Sequence, residues 1–246
     1  MVSHADSFGF TPIPAASRQE AVNGVFERVA ASYDRMNDAM SFGVHRLWKN
    51  AFVATIPARP GMAAVDVAGG TGDIARLLLA RLPGVRLTLA DINPAMLVQG
   101  RRRLWDEGHA NIAVVCGNAE SLPLSDSSQD IYTIAFGLRN VTHIDRALSE
   151  AFRVLKPGGM FRCLEFTPDV NPLIKPLYDA WSFGVIPRLG KLLAKDEAAY
   201  RYLIESIRRF PRRRALETML RAAGFVCVGS QLYSGGIVAM HRAVKP

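Results

Sequence analysis

The stretch Val65-Asp66-Val67-Ala68-Gly69-Gly70-Thr71-Gly72-Asp73-Ile74 is an apolar run that carries one carboxylate and then breaks into a cluster of glycines. Glycine is needed where the backbone turns tightly and lies close to a ligand, because a Cβ would clash there. The residues that follow have helical spacing, and the free N–H groups at a helix start can face a ligand. The stretch therefore predicts a strand, a ligand-binding loop and a helix in succession.

A second carboxylate, Asp91, ends the next apolar run. It follows the glycine cluster by about 20 residues, and a carboxylate at that distance can accept both hydroxyls of a ribose. The two features together predict a cofactor that contains a nucleoside and lies over the carboxyl ends of parallel strands.

Two classes of cofactor fit this pattern. Gly70-x-Gly72-x-x-Ala75 satisfies the dinucleotide fingerprint, which would indicate a nicotinamide or flavin cofactor. Asp66 favours S-adenosylmethionine instead, because a carboxylate at the mouth of the loop would repel a pyrophosphate. S-adenosylmethionine has no phosphate, and its ammonium and sulfonium groups are attracted to a carboxylate. S-adenosylmethionine is therefore the preferred interpretation, and a dinucleotide stays as the alternative.

Composition predicts one enzyme-sized domain. The chain has 246 residues, of which 49% are hydrophobic, and it can bury a full core. Its apolar runs are shorter than the ~18 to 20 residues of a membrane span. Residues 1–17 are polar and contain prolines, and they lack the basic and apolar regions of a signal peptide. We expect a flexible arm at 1–17, a single domain at 18–246, and a cytoplasmic location.

Cysteine usage and charge narrow the classes of partner. Cys116, Cys163 and Cys227 are widely separated in apolar runs, which predicts reduced core residues and no metal site. The net charge of +8 comes partly from basic runs at 101–103 and 208–214, but no RNA-binding signature accompanies them. We therefore expect no nucleic-acid partner, and interpret the runs as solvated helix faces or as a patch for anionic lipid headgroups.

Strand and helix signals alternate along the middle of the chain. This alternation predicts an α/β fold with a mostly parallel sheet, helices on both faces and an antiparallel strand from a C-terminal hairpin. The predicted strands are 63–67, 85–91, 111–116, 130–136, 160–166, 225–232 and 236–242, and the predicted helices between them are 73–82, 94–106, 144–155 and 213–223.

Two aromatic-rich segments lie outside the alternation. Residues 18–56 precede the first predicted strand, and residues 167–210 separate the fifth strand from the last helix. Aromatic residues at helical spacing are commonly core packing. Two such segments attached to one cofactor-binding sheet favour a helical cap and an insertion lid that cover an apolar substrate pocket.

Several separate blocks of sequence carry a resemblance to a known family. They include Phe136-Gly137-Leu138-Arg139-Asn140-Val141 and the segments 33–49, 68–73, 90–93, 153–159, 164–166 and 200–207. On these blocks the chain resembles the UbiE family of ubiquinone and menaquinone biosynthesis C-methyltransferases, over about residues 24–242. The resemblance implies a class I S-adenosylmethionine-dependent methyltransferase with a Rossmann-like fold and a seven-stranded sheet.

The resemblance also implies which residues bind the cofactor. Thr71 corresponds to the residue under the methionine end, Asp91 to the ribose ligand, and Asn118 with Ala119 to the pair that brackets the adenine. Ala135 stands where the family often has a serine, so only a backbone contact is expected from it. The full set of expected cofactor residues is Asp66, Gly70, Thr71, Gly72, Asp91, Asn118, Ala119 and Ala135.

The implied reaction is methyl transfer to a ring carbon of a 2-polyprenyl-6-methoxy-1,4-benzoquinol, a demethylmenaquinol, or both. Arg139 is the expected stabiliser of a substrate phenolate, with Asn140 beside it, because arginine stays protonated in proteins. His45 and His143 are further candidates for proton transfer. The expected pocket residues are Tyr33, Asp34, Asn37, Tyr178, Tyr200 and Tyr202.

A long isoprenoid tail on the substrate would bring the protein to the membrane surface, at the cytoplasmic face of the inner membrane, without spanning it. A homo-oligomer or a complex with other quinone-biosynthesis proteins stays open. Two other functions also stay open. One is a methyltransferase for another small aromatic or nucleic-acid substrate, and the other is a non-catalytic scaffold, which the intact cofactor loop disfavours.

Overall fold

The computed structural model describes residues 4–29, 37–38, 41–57, 59–185, 187–188 and 196–246. The strands are β1 (Ser7–Phe8), β2 (Thr11–Pro12), β3 (Ala63–Val67), β4 (Arg86–Asp91), β5 (Ala113–Cys116), β6 (Gln129–Ala135), β7 (Leu155–Phe166), β8 (Val226–Tyr233) and β9 (Val238–Val244). The α-helices are α1 (Ala15–Val29), α2 (Val44–Ala54), α3 (Asp73–Arg81), α4 (Pro94–Asp106), α5 (Ile144–Val154), α6 (Lys175–Asp179), α7 (Glu197–Arg209) and α8 (Arg213–Ala222).

The main sheet has seven strands in the order β5-β4-β3-β6-β7-β9-β8. The five strands from β5 to β7 are parallel, and β9 runs antiparallel between β7 and β8. This topology confirms the predicted α/β fold with an antiparallel C-terminal strand. The strand order reverses between β3 and β6, and open α/β sheets bind ligands at such a point.

Two apolar layers explain why the sheet forms. Every residue of β3 is buried, as expected for a parallel strand covered on both faces. Val65 and Val67 pack on one face with α5 and α8, whereas Ala64 packs on the other with α2, α3 and α4. The helices on the two faces therefore bury alternate residues of the same strands, and the carboxyl ends of β3, β4 and β6 lie together at one edge.

The boundary of β7 differs from the prediction. The strand begins at Leu155, which pairs with Gln129, rather than after the Lys156–Gly159 turn. Gly158 adopts φ +77, and its N–H donates to Lys245 O at 2.9 Å, so the turn is tied to the C-terminal strand. Sequence periodicity does not reveal this pairing, because the partner residues come from the other end of the chain.

The cysteine prediction is wrong for two of the three residues. Cys163 on β7 is buried, but Cys116 and Cys227 are exposed. Both exposed cysteines lie on the edge strands β5 and β8, each of which has a strand on one side only. An apolar run in sequence therefore did not distinguish a central strand from an edge strand.

The N-terminal segment is packed rather than loose. Residues 4–14, part of the arm expected to be flexible, form the β1–β2 hairpin, and α1 begins at Ala15. The Phe8 ring stacks on Tyr202 of α7 with centroids 4.3 Å apart, and His4 Nε2 lies 3.0 Å from Val141 O. The prediction of a flexible arm was wrong for these residues. The partners that order the hairpin come from distant parts of the chain, so the local sequence does not reveal them.

The helical cap and the insertion pack on each other. α1 from the cap and α7 from the insertion share a third apolar cluster, made by Val22, Val25, Ala199, Tyr200, Tyr202 and Ile204. This cluster holds both segments over the carboxyl edge of the sheet. In the part of the chain that the structure describes, no helix has the length and apolarity needed to cross a membrane.

We predict that Gly100→Ala destabilises the protein. A Cβ at this position of α4 would lie 2.5 Å from Gly70 O and 3.0 Å from Leu89 Cδ2, so the glycine loop would have to shift. The expected loss in the free energy of unfolding is about 1–3 kcal/mol, measured by urea denaturation.

Gly24→Ala on α1 is the matched control. Its Cβ would meet only Arg28 Nη1 at 3.5 Å, an ordinary contact, so we expect the usual gain of about 0.5–1 kcal/mol for alanine in a helix. A Gly100→Ala protein as stable as the Gly24→Ala protein would contradict the prediction.

Candidate active site

The loop between β3 and α3 turns through left-handed backbone. Gly70 has φ +54 and Gly72 has φ +82, which only glycine adopts without strain. A Cβ on Gly72 would contact Leu104 of α4 at 3.2 Å, so this glycine serves the packing of α3 on α4. Gly70 lines a cavity over the carboxyl ends of β3 and β4, whereas Gly72 does not.

Asp91 lies buried at the carboxyl end of β4. Its Oδ2 accepts from Gly70 N at 2.9 Å, and its Oδ1 accepts from Asn93 N at 2.8 Å. Burial raises the pKa of the Asp91 carboxyl, and the two backbone N–H groups oppose that rise. An ionised carboxylate has about four lone-pair sites, so both oxygens can still accept a hydrogen bond from a ligand hydroxyl.

A cavity of about 80 Å³ opens beside these groups, and we call it the loop cavity. Four of the eight expected cofactor residues meet here, Gly70, Asp91, Asn118 and Ala119. α1 covers the cavity with Gln19, Val22, Asn23 and Phe26. The remaining lining residues are Val67, Ala68, Ile92, Asn93, Met96, Gly117, Phe136, Gly137, Asn140 and Val141.

Asp66 is buried behind the loop. Thr133 Oγ1 donates to Asp66 Oδ1 at 2.8 Å, while Oδ2 has no partner in normal hydrogen-bond geometry among the described residues. Burial raises the pKa of the Asp66 carboxyl to about 7, against the opposing effect of the Thr133 hydrogen bond. Asp66 lines a small space of about 30 Å³ together with Lys49, Thr71 and Ala135. An unpartnered buried carboxylate oxygen is a suitable place for a cationic group of a ligand.

A larger cavity of about 520 Å³ lies between the cap, the insertion and the ends of β6 and β7, and we call it the apolar cavity. It has predominantly hydrophobic and aromatic walls. Its lining residues are Val25, Phe26, Asn37, Ser41, Phe42, Val44, His45, Trp48, Lys49, Phe136, Arg139, Phe166, Ile174, Leu177, Tyr178, Trp181, Ser182, Ala199, Tyr202, Leu203, Ile204, Ile207, Arg208, Ser234 and Ile237.

The structure brings only part of the predicted pocket together. Asn37, Tyr178 and Tyr202 line the apolar cavity. Tyr200 and Tyr202 both belong to the cluster between α1 and α7, but only Tyr202 also lines the apolar cavity. Tyr33 and Asp34 lie outside the described residues.

The two candidate histidines occupy different places. His45 lines the apolar cavity, and its Nε2 lies 2.9 Å from Asp38 Oδ1. Burial lowers the pKa of His45, and the Asp38 hydrogen bond opposes that shift. His143 precedes α5, and its main-chain N–H donates to Glu120 Oε1 at 3.0 Å. This contact stabilises the start of the helix.

A buried ion pair lies in the wall of the apolar cavity. Arg139 Nη1 donates to Glu165 Oε1 at 2.7 Å and also to Phe136 O, while the Arg139 main-chain N–H donates to Glu165 Oε2 at 3.2 Å. Burial raises the pKa of the Glu165 carboxyl, and the Arg139 guanidinium opposes that rise. Arg139 Nε is buried without a hydrogen-bond partner among the described residues. The guanidinium is therefore fixed in position and keeps a donor unused.

Glu165 is a candidate site residue that the sequence analysis missed. It ends the apolar run of β7 in the same way that Asp91 ends β4, so the signal was present. Residues 160–166 were interpreted as a strand and 164–166 as part of the family resemblance, without a role for Glu165. Lys49 was also missed, and its Nζ lies 2.5 Å from Asp73 Oδ2 beside the space that Asp66 lines.

Phe136 separates the two cavities. It lines the loop cavity, the apolar cavity and the small space beside Asp66. Its φ of +56 is unusual for a bulky residue, and Ala68 in the facing loop has φ +51. Strained backbone of this kind is concentrated at functional sites.

Asn140 connects the same two cavities. It lines the loop cavity, and its Oδ1 accepts from the Tyr202 hydroxyl at 3.0 Å, while Tyr202 lines the apolar cavity. The arrangement can hold a polar, cationic ligand on one side and an apolar ligand with an acidic group on the other. The described residues contain no group of three or more His, Cys, Asp or Glu side chains placed to hold a metal ion.

Comparison with known proteins identifies the family. Residues 15–245 match the profile of the ubiE/COQ5 methyltransferase family. A protein from Bartonella bacilliformis named ubiquinone/menaquinone biosynthesis C-methyltransferase UbiE is 53% identical over 244 residues, which are 98% of this chain and 94% of that protein. A protein of the same name from Brucella anthropi is 49% identical over 97% of this chain and 92% of its own length.

Solved structures show the same fold at low sequence identity. A methyltransferase from Thermotoga maritima, described as S-adenosylmethionine-dependent and a possible histamine N-methyltransferase, has a TM-score of 0.65 at 22% identity and covers 92% of this chain and all of its own. A Haemonchus contortus phosphoethanolamine N-methyltransferase in complex with S-adenosylhomocysteine has a TM-score of 0.61 at 15% identity and covers 81% of this chain and 52% of its own. The chain therefore belongs to the ubiE/COQ5 methyltransferase family, and it is an S-adenosylmethionine-dependent methyltransferase.

Proposed function

We propose that this protein methylates a ring carbon of a polyprenylated quinol, either a 2-polyprenyl-6-methoxy-1,4-benzoquinol or a demethylmenaquinol. The observation that carries the proposal is an apolar cavity with the buried Arg139–Glu165 pair in its wall, next to the loop cavity. Its volume of about 520 Å³ suits a ring and the first part of a hydrocarbon tail. The apolar walls are unlike a nucleic-acid surface, which is polar and strongly positive.

The residues present fit the cofactor. Asp91 would hold the ribose, Asn118 and Ala119 would bracket the base, and Asp66 with Thr71 would lie at the methionine end. The unpartnered Oδ2 of Asp66 supports this orientation, because a cationic group would satisfy it. When bound, the cofactor supplies a methyl group that its sulfonium has activated for transfer to carbon.

Arg139 prepares the acceptor. A ring carbon becomes a strong nucleophile when the adjacent hydroxyl loses its proton, and a phenol has a pKa of about 10 in water. A guanidinium stays protonated in proteins, so Arg139 stabilises the phenolate and orders a water that takes the proton. Glu165 holds the guanidinium head group in place at the wall of the apolar cavity, where its positive charge would stabilise the phenolate.

The rim of the apolar cavity supports contact with a membrane surface. Leu173 and Leu177 are 89% and 77% exposed, and Phe42 is 75% exposed. Leu177 and Phe42 also line the cavity, so the exposed apolar surface is continuous with its wall. We infer that this rim touches the bilayer, since a polyprenyl tail longer than the cavity would extend through it.

The test of the function is a methylation assay. Purified protein is incubated with methyl-labelled S-adenosylmethionine and a dithionite-reduced short-chain 2-polyprenyl-6-methoxy-1,4-benzoquinol, with demethylmenaquinol in parallel. We expect a ring-methylated product by mass spectrometry, because the residues that would hold the cofactor lie next to an apolar cavity for the quinol. If the protein binds the cofactor but transfers a methyl group to neither quinol, the proposal is contradicted. The Asp91→Ala variant, which we expect not to bind the cofactor, is the negative control.

The double variant Arg139→Gln/Glu165→Gln tests the role of the guanidinium. Replacing Arg139 alone would leave Glu165 buried and unpaired, which costs about 3–5 kcal/mol of stability. The double variant removes both charges and avoids that penalty. We expect kcat to fall by about 10²–10³ with the Kd for S-adenosylmethionine unchanged, because a phenolate stabiliser has been removed. A wild-type kcat in the double variant would rule out this role for Arg139.

Membrane contact is tested by co-sedimentation with vesicles of anionic phospholipid. Leu173→Asp should weaken binding by at least about tenfold, because an inserted leucine contributes about 1.5–3 kcal/mol and a carboxylate is repelled. Val98→Asp, at an exposed position on α4, is the control and should bind as the wild type does. Equal binding of the two variants would contradict the assignment of the rim.

A further inference from the structure

Arg18 of α1 is a buried cation held by main-chain carbonyls. Its side chain is 2% exposed, and its Nε donates to Ser7 O at 2.8 Å. Its Nη1 donates to Asn140 O at 2.8 Å, and its Nη2 donates to Arg139 O at 2.9 Å. One guanidinium therefore joins the N-terminal hairpin to the turn that carries Arg139 and Asn140.

The electrostatics of this turn suit a cation. Leu138–Asn140 form a short 3₁₀ turn, and the carbonyls at the end of such a turn have no partner within it and carry partial negative charge. Arg18 caps two of them. Burial lowers the pKa of Arg18, with Tyr202 and Glu120 opposing the shift. Because burying a charge costs more free energy than burying an apolar side chain, simple packing does not account for an arginine here.

The same N-terminal segment covers both cavities. Gln19, Val22 and Asn23 line the loop cavity, Val25 lines the apolar cavity, and Phe26 lines both. These residues follow Arg18 on α1. Any movement of α1 that admits a ligand would therefore also displace the guanidinium from the turn.

A second contact ties the hairpin to Asn140 through its side chain. Phe8 stacks on Tyr202, and the Tyr202 hydroxyl donates to Asn140 Oδ1 at 3.0 Å. The segment 4–29 thus holds Asn140 by its carbonyl and by its amide. The contact with the carbonyl is direct, through Arg18, and the contact with the amide is indirect, through the Tyr202 ring on which Phe8 stacks.

We propose that Arg18 is a positioning residue, which orients Arg139 and Asn140 for methyl transfer when residues 4–29 close over the two cavities. The inference rests on the proposed function, because it assigns Arg139 to the acceptor. It makes the position of the turn conditional on closure, because Arg18 braces the main chain of Arg139 and Asn140 only when both cavities are covered.

The first test is a double-mutant cycle. Arg18→Met should lower kcat by at least about tenfold in the wild type but by less than about twofold in the Arg139→Gln/Glu165→Gln background, because Arg18 acts through Arg139. Arg18→Lys keeps the charge and should recover part of the loss. Equal losses in the two backgrounds would overturn the proposal, since a purely structural role is additive.

Arg28→Met is the matched control on the same helix. Arg28 is exposed, and its Nε lies 2.7 Å from Asp196 Oδ2, away from the turn. We expect its kcat to match the wild type in both backgrounds. Thermal denaturation of all variants separates loss of folding from loss of positioning, and Arg18→Lys keeps the cycle measurable if Arg18→Met does not fold.

The second test does not depend on the acceptor. The amides of Asn140 and Val141 donate to Gly137 O and Leu138 O at 3.0 and 3.2 Å, so they report on the turn. In protein loaded with S-adenosylmethionine, Arg18→Met should speed hydrogen–deuterium exchange at these amides, and Arg28→Met should not. Unchanged exchange in Arg18→Met would overturn the inference, whereas a wild type that methylates no quinol would overturn only the proposed function.

Discussion

The buried ion pair between Arg139 and Glu165 is the interaction on which the rest of the site depends. An unpaired guanidinium would not stay in an apolar cavity, because a buried charge without a partner costs several kcal/mol. Glu165 supplies that partner from the end of β7, while Arg139 follows β6, its neighbour in the sheet. The pairing of two parallel strands thus places a fixed cation in the wall of the apolar cavity. Glu165 binds Arg139 through Nη1 and through the main-chain N–H, so the side chain and the backbone of Arg139 are both held.

The site separates two kinds of ligand by the chemistry of its walls. The loop cavity has the Asp91 carboxylate at the carboxyl end of β4, as a nucleoside requires, and Asp66 lines the small space that would take a cationic group. The apolar cavity is built by the cap and the insertion, which have no place in the strand–helix alternation. Phe136 lies between them in strained backbone, and Asn140 with Tyr202 connects them by a hydrogen bond. Methyl transfer needs both cavities because one enzyme must hold a charged donor beside an apolar acceptor.

Local patterns predicted the sheet and the loop cavity well. Apolar runs located the strands, and the glycine and carboxylate pattern located Gly70 and Asp91, which line one cavity. The family resemblance, not a local pattern, pointed to Asn118 and Ala119 in the same cavity. The same patterns failed where burial depends on strand order. Cys116 and Cys227 lie on edge strands, and β7 begins at Leu155, which pairs with Gln129 of β6, while the turn that follows is tied to Lys245.

Sequence by itself determined the cofactor class and the reaction family, since glycine spacing, carboxylate positions and family blocks are properties of neighbouring residues. Tertiary structure alone decided which tyrosines reach the apolar cavity, since Tyr202 lines it and Tyr200 does not. It alone placed the Arg18 guanidinium on the carbonyls of Arg139 and Asn140, more than a hundred residues away in the chain. Hydrogen bonds between such distant segments leave no periodic pattern, because their partners are brought together only when the core packs.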